Sequence, residues 1–390
     1  MINKTIKFFL KDFEAIPNSL INSRGLKEFL NVNLSQLYWH YYKDKNLFNP
    51  PKVNPLLLEN LRFISNSTDF RFKKKSKQSR DYKRIDTFGH GQAFCRWFLY
   101  KYLGISYFAP ISDFINNEEH KAFNRSLIKR VQKGDTPDFL CANKNYRNIF
   151  VAEAKGTFAR LDFNSSKFIK WRAQFDRIQV INNRGRILGL KGFILASSFA
   201  SINNKDRFTS LFVEDPEIKG EKLNSDDVES TNDLLKGILS IHYGQVLKYL
   251  NYDIIASALI EGFEIPDEYK FNFPIYRSNL DPLKNKQFIG YKVPISFDNA
   301  FLEEFQHYFL KRVPIDFRWF NINHQFVGLE YNILKILRNS IKGNWNNLLE
   351  INEYDDINTN ENIDNKFTLY RDGSVVGLNE NFYLSHFESI

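Results

Sequence analysis

The middle of the chain contains two short apolar runs separated by a polar turn, at residues 139–142 and 149–154. Runs of this length on either side of a turn predict a β-hairpin. Side chains two positions apart on a strand share a face, so Glu153 and Lys155 are expected to project together. Asp138 begins the partner strand where these two residues end theirs. The pattern therefore predicts that three charged side chains meet at one end of an otherwise apolar ribbon.

Apolar spacing on either side of the hairpin predicts the elements that would surround it. Helical spacing is found over residues 88–103 and 165–181. Apolar runs over 105–111 and 191–200 predict core strands, the second of them buried inside a mixed sheet. Residues 113–130 are polar and charged, and we interpret them as partly helical and outside the sheet. The predicted order is helix, strand, hairpin, helix, strand.

The flanks predict further elements and a division into three regions. The further elements are helices over 26–42, 234–250, 299–311 and 329–339, strands over 208–213 and 287–295, and a hairpin over 368–376 with its turn at Asp372 and Gly373. The regions are an N-terminal region (1–85), a core (86–215), and a mostly helical C-terminal region (216–390) that includes an acidic loop at 353–364. The predicted class is α/β, a central mixed sheet flanked by helices, with α+β flanks.

Composition indicates a folded protein in a reducing compartment. The chain has 390 residues, of which 43% are hydrophobic, so a sizeable core is affordable in one large domain or a few smaller ones. Cys95 and Cys141 are too few for a disulfide framework or a zinc cluster, so a cytoplasmic location is expected. Lys11 and Asp12 interrupt the apolar patch near the start, which argues against a signal peptide. No apolar stretch is long enough to predict a membrane span.

The balance of charge favours a polyanionic partner. The formal net charge is +9, which attracts polyanions and adds sequence-independent affinity for phosphate; a bias toward Lys and Asn would give the same value. Residues 71–84 contain eight Lys or Arg against one Asp, and such a run predicts an exposed, mobile loop. The loop is either a set of phosphate contacts or a solvated segment without a partner. Its candidate contacts are Lys73, Lys74, Lys75, Lys77 and Arg80.

The three charges of the hairpin point to metal-ion chemistry. Two carboxylates and an ammonium are costly to desolvate together, and a divalent cation relieves the repulsion between the carboxylates. Hard oxygen ligands with room for retained water suit Mg²⁺. Such an ion can bind a phosphate oxygen, lower the pKa of an attacking water and stabilise the leaving oxygen, while the ammonium holds the water or the developing charge. This is the chemistry of phosphodiester hydrolysis. Solvated charges at the end of a hairpin are the alternative.

A Pro-Asp pair ending at Asp138, fourteen intervening residues and then Glu153-Ala154-Lys155 resemble the motif of the PD-(D/E)xK nuclease superfamily. The resemblance covers about residues 88–200 and implies a restriction-endonuclease-like αβββαβ core. It implies that Asp138, Glu153 and the carbonyl of Ala154 bind Mg²⁺, for which Mn²⁺ can substitute. It also implies that Lys155 is the catalytic lysine.

In that superfamily further polar side chains face the site, and the resemblance implies candidates here. Gln174 on the later helix is the best match, and Gln92 on the earlier helix is a second candidate that would position a water or a phosphate. The chain departs from the pattern because the earlier helix has no acidic residue; Asp86 precedes it. Lys170 and Arg172 on the later helix are either phosphate contacts beside the metal or part of a solvated face.

The resemblance implies a Mg²⁺-dependent nuclease. A DNA endonuclease is the leading hypothesis, and a restriction, anti-phage defence or mobile-element system is one setting for it. RNA cleavage uses the same ion chemistry and stays open. A second hypothesis is a nucleic-acid-binding or assembly protein that keeps the fold without catalysis, and a third is an unrelated α/β protein whose hairpin charges are structural. The expected partner is nucleic acid, with a homodimer or a partner protein left open and no membrane association.

Overall fold

The computed structural model of the chain describes residues 3–44, 64–65, 67–73, 80–115, 117, 119–124, 126–143, 148–204, 206–216, 228–293, 325–355, 357–358 and 367–390. Within these residues a seven-stranded mixed sheet contains the predicted hairpin. Numbered along the chain and given in spatial order, its strands are β4 (Phe29–Asn33), β1 (Asn3–Lys11), β12 (Ser210–Glu214), β11 (Lys191–Ser198), β8 (Asn148–Thr157), β7 (Phe139–Asn143) and β5 (Tyr107–Pro110). The pairs β1–β12 and β8–β11 are parallel, and the other four pairs are antiparallel.

Helices lie on both faces of this sheet, which confirms the predicted α/β class with a central mixed sheet. They are α1 (Leu34–Asp44), α2 (Arg80–Leu103), α3 (Ser166–Phe175) and α4 (Val228–Tyr249). The register places Phe212 on the same face as Lys155, and the Phe168 ring of α3 packs there with ring centroids 6.3 Å apart. Arg96 of α2 lies over Phe139 on the opposite face, 4.6 Å from the ring centroid. The sheet is therefore covered by α2 on one side and α3 on the other.

Three predicted helix boundaries are wrong. Helix α2 begins at Arg80 instead of residue 88, so it includes residues predicted as loop, and Asp86, which was expected to precede the helix, lies within it. Helix α3 ends at Phe175, and Ile178–Ile181 forms a strand, β9, because its β-branched side chains favour an extended backbone. Helix α1 begins at Leu34, and the preceding residues, predicted as helix, form β4. The strand β1, which was not predicted, pairs with both β4 and β12.

A small antiparallel sheet stands apart from the central one. It consists of β6 (Leu127–Arg130), β9 and β10 (Ile187–Leu188), in the order β10, β9, β6. The interpretation of residues 113–130 as lying outside the central sheet is therefore confirmed, although the strand within them was not predicted.

A second seven-stranded sheet, antiparallel throughout, occupies the C-terminal part of the chain. Its strands in spatial order are β16 (Ile357–Asn358), β17 (Phe367–Leu369), β18 (Ser374–Leu378), β15 (Gln325–Glu330), β14 (Gln287–Val293), β13 (Asn272–Ser278) and β19 (Phe382–Ser389). Helices α5 (Asp253–Glu261) and α6 (Tyr331–Ser340) and the short hairpin of β2 (Ile21–Asn22) and β3 (Gly25–Leu26) complete the described elements. The prediction of a mostly helical C-terminal region is therefore wrong. Pairing such as Asn272 with Ser389 joins residues far apart in the chain, which local periodicity does not register.

Other C-terminal predictions have mixed outcomes. The hairpin predicted over 368–376 is confirmed as β17 and β18, with Gly373 at φ +77° in its turn. The strand β14 and the helices α4 and α6 are also confirmed, with shifted ends. The helix predicted over 299–311 and residues 356 and 359–364 of the predicted acidic loop lie outside the described residues.

One cluster of buried apolar side chains extends through all three predicted regions. It includes Ile6 of β1, Ala154 of β8 and Tyr370 near the C-terminus. In the described part of the chain, none of the helices combines the length and the apolar character that crossing a membrane requires.

Candidate active site

Pairing between β7 and β8 brings Asp138 next to Glu153. Phe139 is opposite Ala152, and the Asp138 N–H donates to the Ala152 carbonyl at 3.1 Å. The next residue toward the strand end on β8 is therefore beside Asp138. In addition, the Ala154 N–H donates to Oδ2 of Asp138 at 2.8 Å, which fixes the carboxylate against the edge of β8. The convergence expected from the hairpin pattern is present.

Lys155 completes this cluster from the same strand. Its Nζ lies 3.8 Å from Oδ2 of Asp138 and forms an ion pair with Oε1 of Glu153. The exposed fractions of the side chains are 25% for Lys155, 16% for Asp138 and 0% for Glu153. Glu153 therefore forms the floor of the cluster, and Lys155 and Asp138 stand at its solvent-facing side.

The electrostatics of the cluster are set by burial and by the proximity of like charges. Burial, and then the charge of Asp138, raise the pKa of the Glu153 carboxyl well above its usual range. Burial disfavours the ammonium of Lys155, but the charges of Glu153 and Asp138, with a further contribution from Asp135, outweigh it and raise the pKa of Lys155. The ammonium form of Lys155 is therefore favoured, while the buried Glu153 carboxyl holds its proton more tightly than an exposed carboxyl would.

Helix α2 supports the strand directly behind Lys155 through two glycines. A Cβ on Gly91 would lie 2.6 Å from the backbone N of Gly156, and a Cβ on Gly156 would lie 1.8 Å from the carbonyl O of Thr87. No side chain can be accommodated at either position without moving the backbone. This contact fixes the distance between α2 and the part of β8 that presents Lys155.

The donor set of the cluster fits a small divalent cation. Both carboxylate oxygens of Glu153 are buried, and within the described residues neither has a hydrogen-bond partner of normal geometry. A hard cation prefers such oxygen donors and would relieve the repulsion that raises the pKa of Glu153. Among the described residues no group of three or more His, Cys, Asp or Glu side chains could hold a metal ion. A metal site here would therefore rest on two carboxylates and a peptide carbonyl, completed by water.

The two glutamines predicted to assist the site have different surroundings. Gln174 is 3% exposed, and its Oε1 is buried without a hydrogen-bond partner in the described structure. The residues after it approach the site, because Arg177 donates to the carbonyl O of Asp135 at 2.8 Å. Gln92 is half-buried on α2, one residue after the glycine contact with β8.

His90 packs between two helices. It lies inside α2 with no exposed surface, and its Nε2 is 3.2 Å from the Tyr38 hydroxyl. Aromatic rings, including that of Phe72 at 4.9 Å between centroids, surround it. The side chain belongs to the packing between α1 and α2.

The prediction of an exposed, mobile basic loop over residues 71–84 is wrong at both ends of that segment. Phe72 is 5% exposed and its N–H donates to the Ala200 carbonyl, while burial lowers the pKa of the neighbouring Lys73. Arg80 is the first residue of α2. Lys74, Lys75 and Lys77 lie outside the described residues.

Lys170 and Arg172, the two candidate phosphate contacts on α3, also have different surroundings. Lys170 is exposed. Arg172 forms a bidentate ion pair with Glu214, through Nη2 at 2.6 Å from Oε1 and Nε at 2.9 Å from Oε2. Glu214 is fully buried and also binds Lys11 at 2.9 Å. Arg172 therefore has a structural role that the sequence did not reveal, and a phosphate contact would require it to leave this pair.

The sequence analysis missed two residues that support the charged cluster without being part of it. Gly156 directly follows the Glu-x-Lys motif, and that position is the signal by which its close contact could have been suspected. Asp135, three residues before Asp138, acts on Lys155 through its charge. Comparisons of the chain with protein-family models, with curated proteins and with solved structures found no match.

Proposed function

We propose that the protein is a Mg²⁺-dependent nuclease of the PD-(D/E)xK type, with DNA as its substrate. The observation that carries the proposal is the cluster itself: a fully buried Glu153, an Asp138 carboxylate held by the Ala154 N–H, and a Lys155 ammonium in contact with both acids. Burial of Glu153 beside a second acid is costly even with one lysine in contact with both, so such a cluster is expected where a task requires it.

The order of elements around the cluster supports the same proposal. Helix α2, strand β5, the β7–β8 hairpin, helix α3 and strand β11 follow one another as helix, three strands, helix and strand. This is the order of the restriction-endonuclease-like core. We assign residues 80–198 to that core, with the small sheet inserted within it.

Each of the chain's own residues would have a separate role in phosphodiester hydrolysis. Asp138, Glu153 and the carbonyl of Ala154 would hold Mg²⁺, or Mn²⁺ in its place. When bound, the ion would polarise the scissile phosphate and lower the pKa of water. Lys155, charged and closer to solvent, would orient the attacking water or stabilise charge on the phosphate oxygens. Gln174 is the proposed additional polar contact at the buried side.

A metal-dependent cleavage assay tests the proposal. Plasmid, linear duplex DNA and RNA are incubated with the protein in Mg²⁺, in Mn²⁺ and in EDTA, beside Asp138→Ala and Lys155→Ala variants. We expect cleavage of DNA with either metal, none in EDTA, and none by either variant while both stay folded by circular dichroism. Cleavage retained by both variants would refute the assigned site. Binding of nucleic acid with no cleavage in any metal would favour the non-catalytic binding protein instead.

A further inference from the structure

The small sheet carries five exposed cations, distributed over its two ends. Lys129 and Arg130 are exposed at the end of β6, and Lys133 is exposed three residues later. Arg184 and Arg186 are exposed in the turn between β9 and β10, where both backbone N–H groups bind Oδ1 of the buried Asn182. We refer to these five cations as the basic sheet surface.

Two segments of the chain connect the basic sheet surface to the elements of the candidate site. β6 leads through a short loop into Asp138, which is five positions after Lys133, a path of at most about 18 Å. α3 leads directly into β9. The two connections are joined, because the Val131 N–H donates to the Arg177 carbonyl at 2.9 Å and Arg177 donates to that of Asp135. Pairing of Arg130 with Ile178 fixes one end of the surface beside the cluster, and pairing of Leu127 with Ile181 places the β9–β10 turn at the far end, so the surface extends outward from the cluster.

Four of the five cations, Lys129, Arg130, Lys133 and Arg186, form no ion pair with any described residue. Asp135 and Asp176 are the acids next to the surface in the sequence. Asp233 accepts a hydrogen bond from Asn183 of the β9–β10 turn but is itself paired with Lys236, so the positive charge of the surface is in excess. A surface of this kind attracts phosphate and releases counterions when it binds.

The composition of the small sheet indicates how a nucleic acid would be bound. Its strands and the turn between β9 and β10 contain no Phe, Tyr or Trp, so they offer no platform on which unpaired bases could stack. The exposed groups are instead Lys and Arg side chains and the 62% exposed Ile187, whose strand position is opposite Ile181. Such a surface suits the phosphates of a duplex more than a single strand.

We infer that the basic sheet surface is a duplex-backbone binding site that holds double-stranded nucleic acid beside Asp138, Glu153 and Lys155. The inference rests on the proposed nuclease function for its biological purpose, but the binding site can be tested without catalysis. It moves the main phosphate contacts away from residues 73–80 and onto β6 and the β9–β10 turn.

The test measures binding of a fluorescent 20-base-pair DNA duplex and of the matching single strand by anisotropy in EDTA, at a series of salt concentrations. A quadruple variant, Lys129→Gln, Arg130→Gln, Lys133→Gln and Arg186→Gln, removes four charges from the surface. A matched control, Lys270→Gln, Arg277→Gln, Lys284→Gln and Lys292→Gln, removes four exposed charges from the second sheet and the segments next to its strands. Both variants change the net charge equally, and melting curves establish that both are folded.

We expect the wild type to prefer the duplex and the quadruple variant to bind it on the order of 10–1,000-fold more weakly near 0.1 M salt. The slope of log K against log salt is expected to fall by about 0.9 for each lost phosphate contact, so by about 3–4 in total. The control is expected to keep most of the slope. The single substitution Ile187→Lys, which adds a charge to the same surface, is expected to tighten duplex binding.

Four results would overturn the inference: an unchanged slope in the quadruple variant, an equal loss in the control, preference for the single strand, or weaker duplex binding by Ile187→Lys. Its failure is separable from failure of the nuclease proposal. Cleavage in Mg²⁺ with an unchanged slope would retain the nuclease and reject this surface. Absence of cleavage with the expected loss of slope would retain the surface as a binding site and reject the nuclease.

Discussion

Oδ2 of Asp138 accepts a hydrogen bond from the Ala154 N–H at 2.8 Å, so the backbone between the two charged residues of β8 is tied to the acid on β7. This bond orients the carboxylate toward Lys155, whose Nζ is 3.8 Å from the same oxygen. The backbone N–H of Ala154 and the ammonium of Lys155 therefore both contact Oδ2 of Asp138. Substitutions at Asp138 can separate the effect of the hydrogen bond from the effect of the charge.

The first prediction compares Asp138→Asn with Asp138→Ala. Asn keeps an acceptor for the Ala154 N–H but loses the charge, so we expect cleavage to fall by about 10²–10³-fold with little change in stability. Ala also leaves the N–H unpaired, which costs about 1–3 kcal/mol of unfolding free energy. Urea denaturation and initial cleavage rates measure the two quantities. Asp281→Asn, at a side chain 93% exposed, is the matched control, and an equal loss of activity there would contradict the assignment.

The second prediction concerns pH and Glu153. Its folded-state pKa is raised, so the folded protein holds this proton more tightly than the unfolded chain does. The stabilisation is complete below the ordinary value of 4.5 and is lost as pH rises through the folded-state pKa. In EDTA we expect Glu153→Gln, which cannot ionise, to escape this loss. Its unfolding free energy at high pH should exceed that of the wild type by about 1.4 kcal/mol for each pH unit by which the folded state raises the pKa of Glu153.

Mg²⁺ should reverse that order, because only the wild type has the carboxylate that binds the ion. Melting temperatures measured from pH 5 to pH 9, with EDTA and then with Mg²⁺, check both parts. The exposed Glu268→Gln serves as control. If the wild type is as stable as Glu153→Gln at every pH in EDTA, ionisation of the buried Glu153 carboxyl has no cost in stability, and the prediction is wrong.

The third prediction sets helix propensity against packing at Gly91. Alanine in place of glycine inside a helix ordinarily adds about 1 kcal/mol of stability. Here the new Cβ would lie 2.6 Å from Gly156 N, so we expect Gly91→Ala to destabilise by about 1–3 kcal/mol, and Gly156→Ala at least as much. Denaturant titration decides the sign. Phe88→Ala, at a side chain 49% exposed on the same helix, should change stability by less than about 0.5 kcal/mol.

The fourth prediction separates the two cations of α3. Arg172→Gln removes one partner of the buried Glu214, and we expect a loss of stability somewhat below the ~3–5 kcal/mol typical of breaking a buried pair, since Lys11 remains. Lys170→Gln is exposed and should cost almost nothing. If Arg172 instead served mainly as a phosphate contact, its variant would keep its stability and lose duplex affinity, which is the outcome that would contradict the structural assignment.

The hairpin could be predicted from sequence because each of its signals is local. Period-two alternation places Glu153 and Lys155 on one face, and the turn fixes which residue of the other strand is opposite them. β11 was equally accessible, since a continuous apolar run between a turn and a loop has few alternatives. In these elements local preference and final structure agree.

The remaining features depend on partners distant in the chain. β1 becomes a strand through pairing with residues 210–214, about two hundred positions away, and no nearby pattern identifies that partner. The ion pair between Arg172 and Glu214 likewise joins a helix face to a strand end. Gly91 lies inside α2 and provides the close contact between this helix and β8, which local spacing does not predict. The structure of these elements therefore depends on long-range packing, which local residue spacing does not predict.

The parallel partnership of β8 with β11 also has a consequence for biosynthesis. When Glu153, Ala154 and Lys155 are added to the nascent chain, the strand that will lie beside them has not been translated, since it begins at Lys191. Until then the hairpin has an open edge next to its most polar residues. A nascent chain would thus expose the acidic pair before it could enclose it, and the site would be completed only after Ser198 is released.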